Sequence, residues 1–278
     1  MEEITGVRKQ WEKAAPGWAK WEPVFEELTR PATEAMLDMA GVDPGAKVLD
    51  LACGAGSQTL KAARRVVPDG QVVASDISET MLQYVVDKAN TERLNNISTI
   101  NSPAEGLNVP ADSFDAAICS IALMLFVNPQ QALTSVGNAL KPGGKVAFTV
   151  FTTPAANTFM AKPMQILLKH ARKKPPTNGE PGIFSLGAPG VVENLLAESG
   201  FENLEKNIFP LSLKLSSSVQ ALEMLQEAAG AYRAVVSDCS EEVKTAAWTE
   251  VADALKDFET EDGFNASCEL LVAGGIKR

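Results

Sequence analysis

The sequence predicts an α/β fold, a parallel sheet wrapped by helices, and three observations carry that expectation. Between Lys47 and Phe151 short apolar runs alternate with amphipathic stretches, the order that builds strand–helix–strand units. A tight glycine turn, Cys53-Gly-Ala-Gly56, closes the first apolar run just before a helical pattern begins. The composition, 45% hydrophobic and 22% charged over 278 residues, belongs to a globular chain and excludes a disordered or fibrous one. That length suits one large domain, or one domain with an appended piece.

Each element follows from local pattern. Val48 to Ala52 is the first strand, and Leu60, Ala63 and Val67 mark one face of the next helix, which Pro68-Asp69-Gly70 terminates. Val72-Val73-Ala74 is a second strand ending at Ser75-Asp76. Ser78 can cap the following helix, whose buried stripe is Met81, Leu82, Val85, Val86 and Ala89. Ile97 to Ile100 and Ala116 to Ser120 are the third and fourth strands. Asn128-Pro129 supplies a cap and a first-turn proline for a helix burying Leu133, Val136 and Leu140. Lys141-Pro-Gly-Gly then turns into the fifth strand, Val146 to Phe151.

The flanks are different. Residues 1–40 read as helical, with Leu28, Ala32, Ala35, Met36 and Met39 at helix spacing. Between Thr152 and Leu186 the composition shifts to Pro, Gly, Asn and Lys, with a helix near Met164–Ala171 followed by Pro175-Pro176 and Asn178-Gly179. Val191–Ser199 reads as a helix ended by Gly200, and Leu204–Leu215 as a strand. Ser217 with Gln220 forms a capping box for a helix through about Val236. Ser240 opens another, with Val243, Ala247, Val251, Leu255 and Phe258 on one face, and Phe264–Ala273 is a final strand.

Charge and cysteine usage narrow the function. With 25 basic and 35 acidic residues the formal net charge is −10, which disfavours nucleic acid or anionic lipid as the main partner. The start, Met-Glu-Glu-Ile-Thr-Gly, is unlike a secretory signal, and the longest apolar stretch, Ala116 to Val127, is too short for a membrane span. Four scattered cysteines, Cys53, Cys119, Cys239 and Cys268, form no CxxC pair, so neither a disulfide scaffold nor structural zinc is expected. The expectation is a reduced, cytoplasmic protein.

The sharpest signal is Val48-Leu-Asp-Leu-Ala-Cys-Gly-Ala-Gly56. Strand, glycine turn and helix place bare backbone N–H groups and a helix N-terminus beside a ligand. Asp76 follows Gly56 by 20 residues, at the end of the next strand, where a carboxylate can take both hydroxyls of a ribose. Glycines that merely make the bend are the plainer alternative. A dinucleotide fingerprint would need a third glycine where Thr59 stands. Asp50 would repel a pyrophosphate but could hold an ammonium group, directly or through water. A ligand with ribose, adenine and an amino-acid tail fits these features better than NAD does.

Val48–Gly56, Ser75-Asp76-Ile77, Ala104-Glu105 through Asp112-Ser-Phe-Asp115, and Leu140-Lys-Pro-Gly-Gly144 together resemble the class I S-adenosylmethionine-dependent methyltransferases. The pattern is most similar to the ubiquinone/menaquinone biosynthesis methyltransferase subgroup, over about residues 30–151. The resemblance implies a Rossmann-like, doubly wound, seven-stranded sheet with an antiparallel last strand, and helices inserted over about residues 217–258. It divides one compact domain into an N-terminal helical lid (1–40), a cofactor-binding core (41–151) and a substrate-covering remainder (152–278). It sets the methionine moiety against Asp50, Ala52 and the Gly54–Gly56 backbone, the ribose on Asp76, and adenine against Ile77 and the Ala104-Glu105 turn. Cys119-Ser120 would lie near the methionine amino group. Many relatives carry an aspartate where this chain has Pro103.

Other constellations are weaker. Trp18, Trp21 and Phe25 share one helical face, separated from Trp11 by Pro16-Gly17; docking on the core is the bland reading and an aromatic lid over the methyl donor the functional one. His170, the only histidine, lies in the basic run Lys169–Lys174. It is either part of a solvated helix end or a general base, and attraction of an anionic acceptor is the alternative reading of the run itself. No metal-ligand cluster is visible. The function expected is methyl transfer from S-adenosylmethionine to a small, partly hydrophobic metabolite among Met160, Met164, Phe184, Met224 and Leu225, by in-line displacement. The alternatives are a nucleoside-cofactor binding or regulatory protein without methyl transfer and, further off, an NAD(P) oxidoreductase.

Overall fold

The computed structural model describes residues 2–175 and 180–278. The expected loop residues Pro176, Asn178 and Gly179 lie outside the described residues. The chain opens with α1 (Glu2–Met39) and continues through β1 (Lys47–Leu51), α2 (Ser57–Arg65), β2 (Gln71–Asp76), α3 (Glu79–Glu92) and β3 (Ile97–Asn101). Then come β4 (Phe114–Ser120), α4 (Pro129–Ala139), β5 (Leu140–Phe151), α5 (Thr158–Ala171), α6 (Val191–Glu198) and β6 (Phe201–Leu215). The rest is α7 (Ser218–Ala228), α8 (Gly230–Val235), α9 (Glu241–Leu255), β7 (Glu259–Thr260) and β8 (Gly263–Lys277).

The strands form one sheet in the order β3-β2-β1-β4-β5-β8-β6, with the two-residue β7 attached to β8. Strands β3, β2, β1, β4 and β5 pair in parallel, and β8 is antiparallel to both β5 and β6. The expected doubly wound sheet with an antiparallel last strand is therefore present. Its central strands bury both faces, as a sheet covered by helices must. A second apolar cluster, including Phe159, Leu167, Met224, Tyr232, Val251 and Phe264, joins α5, α7, α8 and α9 to the β6–β8 end.

Four details differ from the sequence reading. The break implied by Pro16-Gly17 does not occur: α1 runs unbroken through Pro16, Pro23 and Pro31. All three prolines are exposed, so their rings lie on the side of α1 away from the core. Val67 is no part of the α2 stripe; it lies beyond the helix end and is 47% exposed. The Lys141-Pro-Gly-Gly turn becomes the start of β5, absorbed by a register shift opposite Phe114 and Ala116, so Leu140 belongs to a strand. The helix opened by Ser217 stops at Ala228 and restarts at Gly230. Gly17 packs at that break, where a Cβ on it would stand 2.1 Å from the Glu227 carbonyl oxygen.

Candidate functional site

The carboxyl ends of β1, β2 and β4 frame a cavity at the point where the strand order reverses, the usual place for a ligand in a doubly wound sheet. Two residues at these ends carry unusual backbone. Ala52 has φ 53° and Ile121 φ 44°, both left-handed, so the chain leaves β1 and β4 by sharp bends that aim backbone into the crevice. Thr149 holds the second bend, accepting the Ile121 N–H at its hydroxyl (2.8 Å).

Gly54 also sits at positive φ (55°), and its N–H donates to Asp76 Oδ2 at 2.9 Å. Ser78 N–H donates to Asp76 Oδ1, also at 2.9 Å. Each Asp76 oxygen is thus oriented by one backbone donor and keeps acceptor capacity for the cavity. Burial pushes the Asp76 carboxyl above its ordinary range, while the N–H groups of Ser78, Gly54 and Ile77 pull against it. Beside it, the Ser75 hydroxyl is buried without a hydrogen-bond partner among the described residues. Gly56 (φ 100°) makes the turn into α2 and lies tight against α3, where a Cβ would come 2.9 Å from Val85 Cγ2.

Of the residues singled out from sequence, Ala52, Gly54, Asp76, Ile77, Ala104, Glu105, Ser120 and Trp18 line this cavity. Asp50, Gly56 and Cys119 do not. Asp50 is fully buried behind the loop, accepting from Thr59 Oγ1 (2.5 Å) and Gln58 Nε2 (3.3 Å). Expected to meet the ligand directly or through water, it instead lies behind the cavity wall and holds the start of α2, and burial raises its pKa to about 7. Cys119 points to the opposite face of β4 and packs in the core, its thiol pushed up by burial. His170 lines neither this cavity nor the larger one beyond it; it pairs with Glu250 at 2.7 Å. The cavity also takes in residues the sequence reading passed over, notably Trp11, Ser75, Ser102 and the Ile121–Val127 turn. The turn was findable, since it follows a parallel strand at its carboxyl end.

Helix α1 closes the front. Trp18 stacks on Phe25 (4.6 Å between centroids) and meets Trp11 edge-on (6.1 Å). Its indole nitrogen lies 3.1 Å from where a Cβ on Gly54 would be. Trp21, expected on the same face, turns to α7 instead and donates to Glu227 Oε2 at 2.6 Å. Glu22 of α1 accepts the Ser57 N–H at 2.9 Å, capping the N-terminus of α2. Glu12 does the same for α3 through the Glu79 N–H at 2.6 Å.

Behind Trp11 and Trp18 lies a second cavity of about 1,100 Å³. It shares Val7, Trp11, Trp18, Ile121, Leu125 and Val127 with the first. Met160, Met164, Phe184, Met224 and Leu225, read from sequence as an apolar acceptor region, all line it, as does Phe25. The first cavity measures only about 90 Å³ with α1 in this position. Ordinary ligand pockets run to roughly 300–1,000 Å³, so a nucleoside can enter only if α1 or its indoles give way.

Comparison with known proteins settles the family. A model of the methyltransferase domain matches residues 42–205. The chain belongs to this methyltransferase family. Its cofactor is S-adenosylmethionine. Among curated relatives, the ubiquinone/menaquinone biosynthesis C-methyltransferase UbiE of Pasteurella multocida is 38% identical over 119 residues, 42% of this chain. That stretch spans 44% of the relative's length, so the match covers less than half of it. Among solved structures, the YcgJ protein of Bacillus subtilis superposes with a TM-score of 0.62 at 17% identity, covering 90% of this chain and 99% of the other. The [4+2]-cyclase SpnF superposes with a TM-score of 0.55 at 19% identity over 89% of this chain and 81% of its own. The fold is thus common to proteins of different chemistry.

The residues present fit that cofactor. Asp76 offers oriented carboxylate oxygens to hydroxyl donors, and Ser75 has an unused hydroxyl beside them. The helix N-terminus that would receive a pyrophosphate is taken by Glu22, which suits a ligand without phosphate.

Proposed function

We propose that this methyltransferase-family chain transfers a methyl group to a small, largely apolar acceptor held in the larger cavity, against a donor held in the smaller one. The observation that carries this reading is the shared wall: Trp18 and Ile121 border both spaces, so a donor on the Asp76 side and an acceptor on the Met160 side face each other across them. Bound there, S-adenosylmethionine supplies a methyl group on a sulfonium sulfur, activated for in-line displacement.

The chain's own residues then bind, orient and exclude water. Asp76 would take the ribose hydroxyls, and Ile77 and Ala104, which line the same cavity, would meet the adenine. The Ala52 and Gly54 backbone and Ser120 receive the amino-acid tail. Asp50 acts one step back, fixing Thr59 and Gln58 and so the entry to α2. Helix α1, through Trp18, covers the reacting atoms and keeps water out. The aromatic face near a sulfonium adds a cation–π attraction of about 0.5–2 kcal/mol. His170, paired with Glu250 and lining neither cavity, is given no role in the transfer.

The similarity to quinone-pathway C-methyltransferases favours an aromatic or otherwise electron-rich acceptor with an apolar body. The test is release of S-adenosylhomocysteine over a panel of apolar phenols, quinols and amines. Turnover that rises with acceptor lipophilicity is expected. Tight cofactor binding with no turnover on any member would favour a binding role instead.

A further inference from the structure

The glycine loop is held from outside by two charged side chains that touch each other. Lys88, on α3, donates from Nζ to the carbonyl oxygen of Ala55, the residue between Gly54 and Gly56, at 2.9 Å. Glu22, on α1, accepts the Ser57 N–H with Oε1 at 2.9 Å, and its Oε2 pairs with the Lys88 ammonium. The contacts close a ring, Ala55 carbonyl to Lys88 to Glu22 to Ser57 N–H, around the loop's last three residues. Glu22 is 7% exposed, and burial lowers the Lys88 pKa to about 8. Glu22 is nearly buried, whereas the Lys88 ammonium keeps some contact with solvent and also feels Glu92, one turn on along α3.

Geometry ties this ring to α1. Trp18 and Glu22 are one turn apart, on the same face of the helix. Trp18 meets Gly54 and Glu22 meets Ser57, so one helical face touches the loop at both ends. If α1 lifts to admit a nucleoside, Glu22 leaves with it. Lys88 then loses its ion-pair partner on α1 and keeps only the more distant Glu92, and the first N–H of α2 loses its acceptor.

We propose that Glu22 and Lys88 are a positioning pair that couples the docking of α1 to the shape of the glycine loop, so the loop is set for its ligand only when α1 is down. The inference rests on the loop being the S-adenosylmethionine site. It makes α1 more than a passive cover: closure and loop ordering are one event, and the pair is where they meet.

The test is titration calorimetry of S-adenosylhomocysteine with the full chain and the variants Glu22→Gln, Lys88→Met, Lys88→Arg and Glu22→Gln/Lys88→Met. Tryptophan emission is recorded alongside, since Trp11, Trp18 and Trp21 are on α1 and only Trp248 is elsewhere. The dissociation constant is expected to rise about tenfold in each charge-removing single variant, and by about the same factor in the double, because both remove one shared contact. Lys88→Arg, which keeps the charge, should retain most of the affinity. The weakened variants should show red-shifted emission that ligand reverses, with melting midpoints near wild type. The double variant replaces the pair by neutral groups and decides the matter if a single fails to fold. Affinities within about twofold of wild type, or a double loss equal to the product of the singles, would overturn the inference. Wild-type protein that takes up no S-adenosylhomocysteine would overturn the reading of the cavity itself, and the inference with it.

Discussion

Two aspartates near the glycine loop do different work, and the difference is burial geometry. Asp76 keeps acceptor capacity toward a cavity, whereas both Asp50 oxygens are spent on Thr59 and Gln58. Asp76→Ala is expected to weaken S-adenosylhomocysteine binding by about 1–3 kcal/mol, measured by calorimetry, through lost charge-assisted hydrogen bonds. Unchanged affinity would remove Asp76 from the site. Asp50 governs stability instead. Its folded pKa, about 7, lies above its ordinary value of 3.8, so between these pH values the folded protein holds a proton the unfolded chain has lost. Its contribution is therefore full below about pH 4 and is lost as pH rises to about 7. Relative to Asp50→Asn, wild-type unfolding free energy should fall by roughly 2–4 kcal/mol across that interval. A flat difference by denaturant titration would show that Asp50 is ionised throughout. From sequence both aspartates were assigned to the ligand, Asp76 to the ribose and Asp50 to the methionine end; only the side-chain partners of Asp50 set it back from the cavity.

Helix α1 is the element whose placement the pattern revealed least. Its apolar positions announced a helix, but Pro16-Gly17 argued for an interruption, and the helix also carries Pro23 and Pro31. What overrides them is the solvent side of the prolines and the fit of Gly17 over the α7–α8 break. Gly17→Ala illustrates the balance. Helix propensity alone would favour alanine by about 1 kcal/mol, but a Cβ 2.1 Å from the Glu227 carbonyl forces backbone apart, at about 1–3 kcal/mol. A net lower melting midpoint is expected, with α1 tryptophan emission shifted first; a higher midpoint would mean that the two helices part freely. Trp18→Ala tests the cover. Radiolabelled S-adenosylhomocysteine should leave about tenfold faster, equivalent to about 1.4 kcal/mol, with little change in the melting midpoint. Unaltered release with lower stability would make Trp18 a core residue and nothing more.

At the level of the whole molecule, the stretch from Lys47 to Phe151 was legible because each strand and helix there is announced locally, by apolar runs, a Ser78 cap, an Asn128 cap and glycine turns. The ligand end of the sheet was legible for the same reason: Gly54 and Asp76 are fixed by strand ends that the pattern marks. The larger cavity was legible in part: Met160, Met164, Phe184, Met224 and Leu225 were read as one apolar acceptor region and all line it. Its extent and its wall shared with the smaller cavity were not, since α1, α5, α7, α8 and the turn after β4 meet only through tertiary packing. The same packing gives the molecule two adjoining spaces and one helix that spans their shared wall.

The most direct measurement is parallel titration of the full chain with S-adenosylhomocysteine and with NAD⁺. The account expects the first to bind at one site per chain and the second to give no heat at about 1 mM, because Glu22 holds the helix N-terminus that a pyrophosphate would need. Binding of NAD⁺ with indifference to S-adenosylhomocysteine would contradict it.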